Sequence, residues 1–247
     1  MDGILLVNKP IGLTSHDVVA KVRSILRQAE SSKLKADGRT EKLSARDFQL
    51  SATSPKVKVG HMGTLDPLAS GLLILVVGSY TKRAGEFSKL DKTYEVELTL
   101  GATSATGDAE GPIIAKSNKQ IAKRDLKEVL SSFVGELMQT PHAHSAVKVG
   151  GQRAYKLART GQDFKIEPRK IKVYSIQLTD YNYPKLRFIT KVSSGTYIRS
   201  LAEDIGQKLG TGAYASALRR TKVGKFDIKD AVEIDKLSTD IENRLQK

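Results

Sequence analysis

The stretch Gly60-His61-Met62-Gly63-Thr64-Leu65-Asp66-Pro67-Leu68-Ala69-Ser70-Gly71 gathers three glycines, one carboxylate and one proline. It runs straight into the most apolar segment of the chain, Leu72-Leu73-Ile74-Leu75-Val76-Val77. Glycine at this density admits backbone conformations closed to other residues and lets a ligand approach the main chain. An aspartate held there by a following proline can serve as an active-site group; the ordinary alternative is an Asp-Pro turn between a loop and a strand. A second segment, Ser193-Ser194-Gly195-Thr196-Tyr197-Ile198-Arg199-Ser200, joins a strand to a helix. Its Arg199 is either an exposed residue behind a cap at Ser194 or Thr196, or a cation turned back into a pocket, where it would keep a carboxylate ionised. Tyr94 is either a core tyrosine or an aromatic on which a nucleobase stacks. Arg153, Lys156 and Arg159, three residues apart, would form one drifting stripe on a helix, either solvated or phosphate-contacting. His142 and His144 have no neighbouring carboxylate in the sequence, and no metal is expected.

The elements that must position these residues follow from periodicity. Ile4 to Val7 reads as a short buried strand, and Pro10-Ile11-Gly12 as a turn. Thr14 or Ser15 then caps a helix with Val18, Val19, Val22, Ile25 and Leu26 on its apolar face. From about residue 28 to 58 the periodicity vanishes, which predicts a long basic loop, a flexible insertion with seven basic residues against four acidic. Leu72 to Val77 reads as a strand buried on both faces, and residues 80–90 as a short helix. Tyr94, Val96, Leu98 and Leu100 alternate with polar residues, as in a half-exposed strand. Thr103 to Gly111 is a turn-rich loop. Leu126, Val129, Leu130, Phe133 and Val134 mark an amphipathic helix; Ile171–Leu178 and Leu186–Val192 read as strands, and Tyr197–Leu209 as a helix. Irregular alternation of these elements predicts an α+β fold with a mixed or antiparallel sheet.

The 247 residues carry a formal net charge of +14 and 39% hydrophobic residues. That combination fits a packed domain whose partner is a polyanion. The sequence has no cysteine, which excludes disulfides, cysteine nucleophiles and thiolate metal sites. The apolar run at the N-terminus is too short for a signal-peptide core, and no stretch is long enough for a membrane span. The basic segments lack the large apolar residues of a membrane-surface helix, so nucleic acid is the expected partner, and the cytoplasm the expected location.

Six segments, in order, resemble the motifs of the bacterial tRNA pseudouridine-55 synthases, the TruB-type family. They are Val7-Asn8-Lys9-Pro10-Ile11-Gly12-Leu13-Thr14-Ser15, the Gly60–Gly71 stretch, Lys92-Thr93-Tyr94, Ser145-Ala146-Val147-Lys148, Gly195-Thr196-Tyr197-Ile198-Arg199 and Leu218-Arg219-Arg220. The resemblance spans almost the whole chain. It implies the pseudouridine-synthase fold, a mixed, mainly antiparallel sheet flanked by helices with a catalytic cleft. It also implies isomerisation of uridine-55 in the T-loop of tRNA, by base flipping and without a cofactor. Asp66 would be the nucleophile, Arg199 its cationic partner, and Tyr94 the ring stacked on the uracil. His61 would fill space vacated when T-loop nucleotides flip, and Tyr197 and Leu218 would line the pocket. Gly63, Thr64, Leu65 and Lys9 would complete the substrate-binding set, with Lys148 and Arg153 on an RNA-gripping thumb at residues 141–165.

The chain departs from the family's pattern in three ways. The basic insertion replaces a short link. The sequence ends soon after Val223-Gly224-Lys225-Phe226, so a single catalytic domain without a PUA domain is expected. Thr103-Ser104-Ala105-Thr106-Gly107-Asp108 matches the family's Thr/Asp-rich loop only loosely, and the resemblance assigns it no role. Competing functions are a synthase acting on another RNA, including the guide-dependent dyskerin branch, and a basic RNA-binding folding chaperone. A third is a general DNA-binding protein, which no helix-turn-helix, zinc-finger or basic-zipper signature in the sequence supports. No protein partner is expected, and with no surplus apolar stripe a monomer is.

Overall fold

The two most apolar segments of the sequence pair with each other. In the computed structural model, which describes residues 1–36, 57–143, 145, 147–161, 164–238 and 241–246, strand β1 (Gly3–Lys9) runs antiparallel to β3 (Ser70–Val77), with Leu5 opposite Leu75 and Val7 opposite Leu73. Between them lie helix α1 (Ser15–Ala36) and strand β2 (Val59–Met62), and a 3-10 turn leads from β3 to the short helix α2 (Ala84–Ser88). Strands β4 (Lys92–Leu100), β5 (Ala102–Ser104) and β6 (Ile113–Ala115) precede helix α3 (Lys123–Ser131) and β7 (Gly135–Gln139). A small hairpin, β8 (Lys148–Val149) and β9 (Gln152–Arg153), leads into α4 (Ala154–Arg159). Long strands β10 (Arg169–Asn182) and β11 (Lys185–Val192) come next, followed by α5 (Ile198–Leu209), β12 (Ala213–Val223), β13 (Phe226–Asp227) and β14 (Val232–Glu233).

The chain divides into two compact units. The first comprises Met1–Ser88 with Phe226–Lys247, and the second Lys89–Lys225. In the first unit β1 pairs with β3 on one side and parallel to β14 on the other, and β2 adds to β3. Leu72 to Val77 are all 0% exposed, as the apolar run requires. Val18, Val22 and Leu26 of α1 are fully buried, spaced to put one face of the helix against the core. Thr14 starts this helix with a reciprocal cap: its Oγ accepts from the Asp17 N–H (3.1 Å), and the Asp17 carboxylate accepts from the Thr14 N–H (2.8 Å) and hydroxyl (2.7 Å). Those bonds to Thr14 hold the Asp17 carboxyl below its ordinary pKa.

In the second unit the strands run β12-β4-β11-β10-β7, each pair antiparallel. Alternation along β4 sends Tyr94, Val96, Leu98 and Leu100 into the core. Helix α5 lies on the sheet with Ile198, Leu201, Ala202, Ile205 and Leu209 buried. The α+β class and the mainly antiparallel sheet are therefore as expected.

Three expectations shift. Helix α1 continues to Ala36, nearly three turns past the last periodic residue, Leu26. Good helix formers such as Gln28, Ala29 and Glu30 carry it on, and Ala29 stays buried. The rest of the insertion, residues 37–56, lies outside the described residues. Helix α3 ends at Ser131, so Phe133 and Val134 sit beyond it and Val134 is exposed. The basic stretch at 148–159 is a hairpin followed by a helix, which leaves only Lys156 and Arg159 on helical turns. Among the described residues no helix is long and apolar enough to cross a membrane.

Candidate active site

In the first unit, the loop between β2 and β3 carries Asp66, and the segment that follows β1 is bonded to that loop. Ser15, at the start of α1 and 2% exposed, accepts from the Leu65 N–H (2.8 Å) and donates to the Leu65 carbonyl (3.1 Å). The Gly12 N–H donates to the Pro67 carbonyl (2.8 Å). The residues on both sides of Asp66 are thus tied to the Lys9–Ser15 turn. Inside the loop the Ala69 N–H closes onto the Asp66 carbonyl (3.0 Å). Gly63 takes φ +78°, a left-handed conformation that turns the chain out of β2. Leu65 is buried, Asp66 half-buried and Thr64 exposed, while His61 sits half-buried in β2 opposite Leu75.

Lys9 departs from its expected role as an RNA contact. It is 0% exposed, and its ammonium donates to the carbonyls of Pro10 (2.9 Å), Leu13 (2.7 Å) and Pro67 (3.5 Å). A charge this deep must be met by polar groups of the chain, and the groups that meet it belong to the turn and loop around Asp66. Lys9 is a fastener of the Asp66 loop.

The second unit carries the other candidates. Tyr94 is 8% exposed on β4, with Thr190 of β11 and Arg220 of β12 beside it in register. Leu218 stands next to Val96 on the same sheet face and is also buried. Two residues before Tyr94, Lys92 is buried, and that burial, with the charge of Arg220 adding to it, brings its pKa down from 10.5 to about 8. Arg199 is buried in the first turn of α5 and donates from Nη1 to the Asp108 carboxylate (3.1 Å) and the Thr106 carbonyl (2.9 Å). The other Asp108 oxygen accepts from the Thr106 hydroxyl (2.5 Å) and the Glu110 N–H (3.1 Å). Asp108 is 2% exposed, so this is a dry, charge-assisted pair.

Gly107, between Thr106 and Asp108, has φ +71°, and a Cβ there would come within 3.0 Å of Glu203 Oε1 and 3.3 Å of both Arg199 Cβ and His142. The loop therefore packs directly on α5, one turn of which joins Arg199 to Glu203, itself 3.5 Å from His142. The sequence reading gave Asp108 no role. Its Thr-Ser-Ala-Thr-Gly-Asp context reads as an ordinary polar turn, and only the fold brings it under α5.

Tyr197 is half-buried and precedes α5 as its N-cap. Its ring packs on a small cluster built from Val147, Ala154 and Ile166 with Val149 and Phe164. That cluster holds the β8–β9 hairpin and α4, from which Lys148, Arg153, Lys156 and Arg159 are exposed. His144 lies outside the described residues, and among those described no group of three His, Cys, Asp or Glu is placed to hold a metal.

Comparison with known proteins gives consistent matches. The model of the TruB family pseudouridylate synthase (N terminal domain) matches residues 50–198. That of the tRNA pseudouridylate synthase B C-terminal domain matches residues 199–246. The tRNA pseudouridine synthase B of Aquifex aeolicus is 40% identical over 237 residues, 95% of this chain and 73% of that protein. The one from Opitutus terrae is 37% identical, covering 99% of this chain and 92% of its own length. Among solved structures, a chain of a Cbf5-Nop10-Gar1 complex aligns with TM-score 0.67 and 28% identity, over 97% of this chain and 54% of that one. A chain of an H/ACA RNP bound to a substrate RNA containing 2'-deoxyuridine aligns with TM-score 0.63 and 25% identity, over 99% and 56%.

Proposed function

Starting from the fact that this chain belongs to the TruB family of pseudouridylate synthases, we propose that it isomerises uridine-55 in the T-loop of tRNA, with Asp66 as the nucleophile. The observation that carries this reading is the fastening of the Asp66 loop, where Ser15, Gly12 and Lys9 hold the residues on either side of the carboxylate. A carboxylate that must attack a bound nucleotide gains most from being fixed before the substrate arrives.

The reaction breaks the bond between uracil N1 and the ribose C1′, turns the base, and joins C5 to C1′. The C5 proton leaves and N1 gains one. The atoms balance within the nucleotide, so no cofactor is called for. A base buried in tRNA must first be flipped out. Tyr94 offers the ring on which it stacks, Leu218 and Tyr197 line its pocket, and His61 takes the space left in the T-loop. Arg199 is the cation of the second unit's part of the site, and Asp108 positions its guanidinium. Gly63, Thr64 and Leu65 shape the loop around the target, while Lys148 and Arg153 meet the phosphates. The curated relatives are named as tRNA enzymes, which favours tRNA over the guide-dependent route. The partner is then the T-arm alone, met by a monomer in the cytoplasm.

Release of tritium from tRNA labelled at uridine C5 tests this reading, with wild type and Asp66→Ala measured side by side. Release by the wild type and none by the variant is the expected result. Tight tRNA binding without release by either protein would leave the folding-chaperone reading in its place.

A further inference from the structure

Gln139 is the last residue of β7 and is 2% exposed. Its side chain meets one residue of the chain twice. Oε1 accepts from the Tyr197 N–H at 2.8 Å, and Nε2 donates to the Tyr197 carbonyl at 3.0 Å. A primary amide paired with both polar groups of one residue imitates a single β-bridge and fixes that residue in rotation as well as position. Tyr197 has extended backbone (φ −96°, ψ 111°), and no side chain of its own caps α5. Its carbonyl also accepts the first bond of the helix, from the Leu201 N–H at 3.1 Å. The amide therefore sets the point at which α5 begins. Two residues on is Arg199, whose guanidinium must reach Asp108 and Thr106.

The same clamp stands at the root of the thumb segment. The residue after Gln139 begins the stretch that carries Val147, Ala154 and Ile166, and these pack against the Tyr197 ring. The stretch thus starts at the residue that bears the amide, and its apolar cluster packs on the residue that the amide holds. Only a side chain that is donor and acceptor at this reach satisfies both Tyr197 groups: glutamate accepts alone, and leucine does neither.

We propose that Gln139 is a positioning residue for the isomerisation, acting through Tyr197 to place Arg199. The proposal rests on the tRNA-isomerase reading above. The experiment compares wild type, Gln139→Leu and Gln139→Glu by single-turnover pseudouridine formation at saturating tRNA, by tRNA binding, and by amide hydrogen exchange of the free protein. For Gln139→Leu we expect a rate roughly 10- to 100-fold lower, the scale on which small misplacements act, with Kd within about three-fold of wild type. Exchange should quicken at residues 197–199 while the strands of the sheet keep their protection. Gln139→Glu, which keeps the acceptor, should fall between the two. A Gln139→Leu rate within about two-fold of wild type, or a loss confined to Kd, would overturn the proposal, as would exchange at 197–199 matching wild type. A wild type inert on tRNA would instead remove the isomerase reading, and the exchange data would still decide whether the clamp orders Tyr197.

Discussion

Ser15 holds Leu65 by both of its backbone polar groups, at 2.8 and 3.1 Å, across fifty residues of sequence. Leu65 precedes Asp66, so this hydroxyl fixes the backbone on one side of the proposed nucleophile, as Gly12 fixes the other through Pro67. Removing it leaves a buried N–H unsatisfied, which costs about 1–3 kcal/mol. Ser15→Ala should therefore lower stability by that amount in urea titrations. It should lower kcat/KM further than the loss of folded protein explains, by roughly 10-fold or more. Activity per folded molecule equal to wild type would show that the loop holds its shape without Ser15.

Asp108 is the carboxylate that Arg199 meets inside its own unit. Because both groups are buried, taking away one charge is far more damaging than removing both. Truncating one member of such a pair costs about 3–5 kcal/mol, whereas an apolar replacement of the pair is often close to neutral. Asp108→Ala should accordingly shift the urea midpoint strongly, and Asp108→Leu with Arg199→Met should destabilise by less than the sum of the two single changes. Both variants should be inactive in the tritium assay. Additive stabilities would mean that the pair contributes nothing beyond its separate contacts.

Periodicity revealed most of the first unit, because β1, β3 and α1 bury regular apolar positions. It also showed β4, β10, β11 and α5. Strand β12 escaped it. Ala213, Ala215 and Ala217 offer little apolar contrast, and Arg220, which any sequence reading sends to the surface, is 1% exposed. The candidate site was legible where a motif is dense, as around Asp66. It was not legible where a role depends on long-range packing. Ser15 looked like a helix cap, Lys9 like a member of the substrate-binding set and Asp108 like a turn residue, and each has a partner fifty or more residues away in sequence. Gln139 carried no signal at all, since one glutamine at a strand end has no pattern to belong to.

Lys92 links the Tyr94 strand to a pH effect. Burial, and next the charge of Arg220, bring its pKa down from 10.5 to about 8. Between those values the unfolded chain holds more protons than the folded one, so this lysine makes stability rise with pH across that window. Below about pH 8 it is charged in both states, and its contribution is flat and unfavourable relative to an unperturbed lysine. Thermal unfolding of wild type should gain on Lys92→Met as pH goes from about 8 to 10.5. Parallel Tm curves for the two proteins would rule the buried lysine out as the source.

The exposed cations of the β8–β9 hairpin and α4 test the RNA-binding half of the proposal. Lys148 and Arg153 project from a hairpin that the Val147, Ala154 and Ile166 cluster holds in place, so their charges are presented from a fixed base. Each phosphate contact releases counterions, which adds roughly 0.7–0.9 to the slope of log K against log salt. Lys148→Ala and Arg153→Ala should each flatten that slope by about one such increment in tRNA titrations between roughly 50 and 200 mM salt, where the effect is steep. Kd should weaken most at the low-salt end, and the single-turnover rate at saturating tRNA should stay near wild type, because these residues hold the substrate without touching the reacting atoms. An unchanged slope for both variants would make them solvated surface charges and move the source of the electrostatic binding elsewhere on the chain.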